Sequence, residues 1–222
     1  MSLFSVYRGL AAGFGHNAAP PVRLTTMAEQ VVADSYLAWL LDGRGYQVRA
    51  GTIVTGLSAD TPLADTAAEM CADAVAGTTI IPAHFGIAVT GVATATTLQI
   101  AVKAVGVVSS AGTAFVPLPL KQDGAAAVST ARVQATGAVT VTAEAATTTR
   151  RLFEFTDVTT QTPTTIGNAQ GLVTVAAGAA QLRYIGVGPA CVYVQVASTT
   201  AQTLYYASLD YFEMPTLMIN PS

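Results

Sequence analysis

Alternation of apolar and polar positions dominates the chain downstream of Thr78. In "TTLQIAVKAVGVV", Leu98, Ile100, Val102 and Ala104 share one face, and Gln99, Ala101 and Lys103 share the other. That period of two is expected of a β-strand with one face against a core. The preceding "TTIIPAHFGIAVTG" is β-branched and apolar. "ARVQATGAVTVTAEA" sets Val139, Val141 and Ala143 against Thr140, Thr142 and Glu144. "RRLFEFTDV" sets Leu152, Glu154 and Thr156 against Phe153, Phe155 and Asp157. "GLVTVAAG", "AQLRYIGVG", "ACVYVQVAS" and "TLYYASLDYFEM" continue the series, and "YQVRAGTIVTGL" adds a strand upstream. Gly-Val-Gly-Pro, Lys-Gln-Asp-Gly and Thr-Pro turns separate these runs. Short strands at this spacing predict an all-β sandwich or barrel.

Two segments carry the helical period instead. "TMAEQVVADSYLAWLLDGRG" places Ala28, Val32, Tyr36 and Trp39 at helical spacings, opens on a capping box of Thr26 and Glu29, and stops at Gly43. "PLADTAAEMCADAVAG" predicts a second helix with Pro62 near its start and Gly77 at its end. Before them, residues 1–24 read as an N-terminal arm, punctuated by Gly9, Gly13, Gly15, Pro20 and Pro21. Residues 25–222 read as one domain. Arg8 and the glycines break up the continuous apolar run that a signal peptide needs.

Composition changes the question. Of 222 residues, 51% are hydrophobic and only 10% charged, against a usual ~25% charged. A surface this poor in charge predicts coverage by other copies of the chain, since interface cores are depleted in charge. The stretch Ile87–Leu120 shows this best. It holds one formal charge, Lys103, and its outward face at Gln99 and Ala101 is predicted to lie against a neighbouring copy. Net charge is −3, and most of the ten Lys and Arg residues are scattered, which argues against an extended nucleic-acid surface. Pro82, glycines and threonines interrupt the longest uncharged stretch, so it does not read as a membrane span, and contact with an internal membrane is not indicated.

Candidate chemistry is sparse. His16 and His84 form no paired metal motif, and the two cysteines form no CxxC, so a metal site would need distant residues. His84 reads as a solvent-facing side chain or one bonded to a carbonyl at a strand edge. Cys71 and Cys191 read as small buried hydrophobes, with a bridge between them as the alternative. Asp65, Glu69 and Asp73, spaced by four, read as a solvated helix face. No GxSxG elbow or P-loop is present. The sequence therefore predicts no enzyme, no catalytic residues, no metal and no cofactor.

"TTIIPAHFGIAVTG" and the closing "TLYYASLDYFEMP", with Tyr211, Phe212, Glu213, Met214 and Pro215 at its end, resemble the strands of viral jelly-roll capsid proteins of the bacteriophage type. The resemblance runs from about Tyr46 to Pro215. It implies a jelly-roll-like antiparallel β-sandwich with one or two short helices and extended terminal arms. It also implies a virion location, and partners that are copies of itself and other virion proteins. Inter-subunit contacts are expected from Phe4, Tyr7 and Phe14 in the first arm, Arg150 and Arg151, and Leu217, Met218 and Ile219 in the tail. The alternative is a trimeric spike, fibre or receptor-binding head that holds glycans on Tyr184, Tyr193, Tyr205, Tyr206, Tyr211 and Phe212.

Overall fold

The computed structural model describes residues 23–24, 30–31, 35–52, 54–61, 64–92, 96–134, 138–159, 182, 184–198 and 203–219. β1 (Arg23–Leu24) and β2 (Gln30–Val31) pair as a short antiparallel ladder, and α1 (Ser35–Leu41) follows. Next come β3 (Gly45–Ala50), β4 (Leu57–Ser58), β5 (Ala67–Ala68), β6 (Met70–Ala74), β7 (Thr78–Val92) and β8 (Thr96–Val105). Residues 106–149 form an insertion with β9 (Thr113–Phe115), β10 (Leu118–Pro119), β11 (Thr130–Val133) and β12 (Val139–Thr140). The chain closes with β13 (Arg150–Thr159), β14 (Gly186–Val187), β15 (Ala190–Ser198), β16 (Thr203–Pro215) and α2 (Thr216–Ile219).

These strands build an all-β sandwich. One sheet runs β10-β3-β16-β7-β14, with β4 also on β16, and the other runs β13-β8-β15-β6-β11-β9. Successive strands change sheets from β6 through β8 and again from β13 through β16. Number β3, β6, β7, β8, β13, β14, β15 and β16 from first to eighth. The sheets then read 1-8-3-6 and 2-7-4-5.

Alternation decides which side chains fill the space between the sheets. Val48, Phe85 and Leu209 enter from the first sheet, and Met70, Val102 and Val194 from the second. Phe85 meets Phe153 with ring centroids 6.3 Å apart. Leu98, Ile100, Val102 and Ala104 all point into this core, as their spacing predicts.

The outer face of the second sheet departs from expectation. The chain itself covers it. Cys71, Val105, Cys191 and Tyr193 pack there under Ala68, Val139 and Val141. Gln195 donates from Nε2 to the carbonyls of Ala64 and Ala67, both at 2.7 Å. Ala101 and Lys103 are therefore buried within one chain, so this part of Ile87–Leu120 needs no second copy to cover it, while Val116, Leu118 and Leu120 of the same stretch stay exposed. Ala101→Lys is expected to cost about 2 kcal/mol of folding stability by overfilling this layer, measured by chemical denaturation. Full stability with lost assembly would contradict it.

Both helix expectations change. The first helix shortens to Ser35–Leu41, with Gln30–Val31 extended in β2, while Thr26 and Glu29 lie outside the described residues. Its end matches the reading: Gly43 sits at φ 72°, with Gly43 N bonded to Leu40 O and Arg44 N to Trp39 O. These two bonds form a Schellman cap. Trp39 packs edge-on against Phe212, centroids 5.1 Å apart, on the outer side of the first sheet. The second helix is absent; that segment forms β5 and β6. β6 is buried on both faces, so its alternation is masked, and a short apolar run of that kind reads equally well as helix or strand. Gly77, at φ 84°, turns β6 into β7.

Candidate assembly edge and buried polar clusters

β10 is the outer strand of the first sheet, set there by pairing of Leu118 with Gln47 and of Pro119 with Tyr46. Proline suits an edge, where no ladder donor is required. Val116, Leu118 and Leu120 on this edge are exposed, as are Leu37 and Leu41 of α1. The partly buried Leu40 of α1 and Leu120 meet over Gly45, where a Cβ would lie 2.6 Å from Leu40 and 3.2 Å from Leu120. Among the described residues, apolar side chains thus line a sheet edge that no further strand pairs with, the kind of surface that recruits another chain.

A buried carboxylate ties the insertion to the first sheet. Glu213 of β16 accepts from Val128 N at 2.9 Å, Ser129 N at 2.8 Å and Ser129 Oγ at 2.5 Å. The Ser129 and Tyr211 hydroxyls lie 2.6 Å apart. Glu213 therefore anchors the insertion to the central strand of the first sheet.

The contact residues expected from sequence fall partly outside the described residues. Phe4, Tyr7 and Phe14 lie outside the described residues, as does His16. Leu217 is 71% exposed on α2. Met218 and Ile219 belong to α2, with side chains outside the described residues. Arg150 is exposed at the start of the edge strand β13. Arg151 is committed within the chain, to Glu144 and to Glu154 at 3.1 Å. Glu144 also accepts from Lys103 Nζ at 2.5 Å, and that bond is the main reason its carboxyl is held below the ordinary range.

Of the six C-terminal aromatics, Tyr184 and Tyr206 are partly exposed. Tyr193, Tyr205, Tyr211 and Phe212 are buried. His84 sits on the interior strand β7 of the first sheet with its side chain 36% exposed, in line with the solvent-facing alternative, and its Nδ1 is 3.6 Å from Asp210 Oδ2. Gln47 Nε2 donates to the other oxygen of Asp210 at 2.7 Å. Burial raises the Asp210 pKa, opposed by Gln47, His84 and Arg49.

No protein-family model, no curated protein and no solved structure matches this chain. The chemistry of its clusters therefore stands on geometry. Among the described residues, no helix is long and apolar enough to cross a membrane.

Two further clusters were not visible in the sequence. Glu69 is buried beside Tyr205 and Asp60, not solvated on a helix. Its pKa is raised to about 8, first by burial and then by the Asp60 charge, with the Tyr205 hydroxyl opposing. On the outer face of the second sheet, β15 runs antiparallel to β6 with Cys191 opposite Asp73 and Tyr193 opposite Cys71. Both cysteines are free and buried. One donor atom each from Cys71, Asp73 and Cys191 lies within 4.8 Å of the others, a set that could hold a metal ion. Ser109 donates to Asp73 from N at 2.9 Å and from Oγ at 2.6 Å, and its Oγ lies 3.0 Å from Cys71 Sγ. Arg132 Nε sits 3.7 Å from Asp73. These residues are 120 positions apart in the extreme case of Cys71 and Cys191, so only strand register brings them together.

Proposed function

We propose that this protein is a structural shell subunit of a virion, assembling with copies of itself and with other virion proteins. The observation that carries the reading is the exposed aliphatic sheet edge at Val116, Leu118 and Leu120, with Leu37 and Leu41 exposed on the nearby α1. A chain with so few charges gains most by burying such an edge against a copy of itself. Strand order supports the fold that the sequence resembles. The 1-8-3-6 and 2-7-4-5 sheets have the order expected of two interleaved Greek keys in a double-sheet jelly roll. A fold alone hosts many functions, so the edge carries the argument. Several cations are already paired within the chain, including Lys103, Arg132 and Arg151. This supports a shell whose contact with a genome runs through another component.

Leu41→Lys combined with Leu118→Lys tests the edge, since both side chains are more than half exposed and contribute little to folding. The wild-type chain is expected to form large particles in light scattering. The double variant is expected to stay small while melting within a few degrees of wild type. Particle formation by the variant, or discrete trimers of the wild type, would overturn the reading.

A further inference from the structure

We propose that Cys71, Asp73 and Cys191 form a closed structural site for one thiophilic divalent cation of the zinc type. The donors come from two hydrogen-bonded strands of one sheet, so their spacing is set by the ladder. Their donor atoms already lie within 4.8 Å of one another. Tetrahedral coordination with metal–sulfur bonds of about 2.3 Å puts ligands roughly 3.8 Å apart, so small rotamer shifts close the cage. Ser109 Oγ, 3.0 Å from Cys71 Sγ and 2.6 Å from Asp73, stands where a fourth ligand or a partner orienting Asp73 belongs.

Donor chemistry selects the ion. Two thiolates favour zinc-type metals, whereas calcium and magnesium take oxygen ligands. The donors are all buried, which fits a structural site rather than one with an open position for substrate. Charge also balances. Binding releases the two thiol protons to solvent, leaving a divalent cation with two thiolates and one carboxylate. The Arg132 guanidinium, 3.7 Å from Asp73, offsets the remaining negative charge. The bound ion would clamp β6, β15 and the turn at Ser109 into one unit. This inference is independent of the assembly reading.

Cobalt(II) is the probe, because its bond to thiolate absorbs light and zinc's does not. Chelator-treated full-length protein is expected to take up one cobalt per chain with a thiolate charge-transfer band, releasing two protons. Zinc should displace it and raise the melting temperature. Zinc should also slow alkylation of both cysteines at least tenfold, read by mass spectrometry on the wild-type chain. Cys191→Ser is expected to lose the band and the zinc-dependent shift in melting. If that variant does not fold, cobalt stoichiometry and cysteine protection in the wild type decide the matter. No band, or unchanged alkylation with zinc, overturns the site. So does an equal zinc shift in a folded Cys191→Ser.

Discussion

Between about pH 4.5 and pH 8 the protein is expected to lose stability steadily, and Glu69→Gln is expected to remove most of that loss. Glu69 is buried, and its pKa is raised from 4.5 to about 8, chiefly by burial and then by Asp60. The unfolded chain releases this proton near pH 4.5, while the folded chain keeps it to about pH 8. Across that window the folded state binds more protons, so stability falls as pH rises. The contribution is fully present below about 4.5 and gone above about 8. At about 1.4 kcal/mol per pH unit, the change is on the order of 5 kcal/mol. Glutamine keeps the shape and stays neutral, so the two proteins should diverge most at pH 8–9. Urea denaturation at several pH values measures this. Parallel wild-type and variant curves would contradict the buried-acid account.

Glu213→Ala is expected to cost about 4 kcal/mol. It strands two backbone N–H groups, at Val128 and Ser129, and leaves the Ser129 hydroxyl with Tyr211 as its remaining partner. Buried donors left without partners each cost about 1–3 kcal/mol. Glu213→Gln keeps one acceptor oxygen and should lose roughly half as much. Amide exchange at Val128 and Ser129 should accelerate in both variants, with the β8–β15 ladder protected as before. Unchanged exchange at Val128 and Ser129 would show that the insertion is held elsewhere. Because the insertion also carries Leu118 and Leu120 on the exposed edge, the same variants should weaken assembly more than their exposure changes suggest.

The strands with one face on the main core were legible in the sequence. β8 shows it best: Leu98, Ile100, Val102 and Ala104 are inward, and their alternation is unbroken. β6 was not legible, because Met70 and Ala72 face the main core while Cys71 faces a second apolar layer. Burial on both sides erases the polar half of the pattern. Cover from within the chain also explains why the neutrality of Ala101 pointed to a second copy. Neutral residues next to a covering segment read the same whether that segment comes from the same chain or another. Here Val139 and Val141 cover the sheet from within the chain, although their own alternation had marked them as strand. Strand order and the Cys71–Asp73–Cys191 cluster depend on pairing between distant segments, which local periodicity does not encode. Glu69 and Asp73 followed the spacing of a solvated helix yet ended buried, because the segment's apolar content decided its fate.

Assembly of the wild-type chain is the central claim, and negative-stain electron microscopy of purified full-length protein tests it most directly. The account predicts closed shells or extended sheets of repeating subunits, lost when Leu41 and Leu118 both become lysine. A uniform field of monomers or discrete trimers at the same concentration would contradict it.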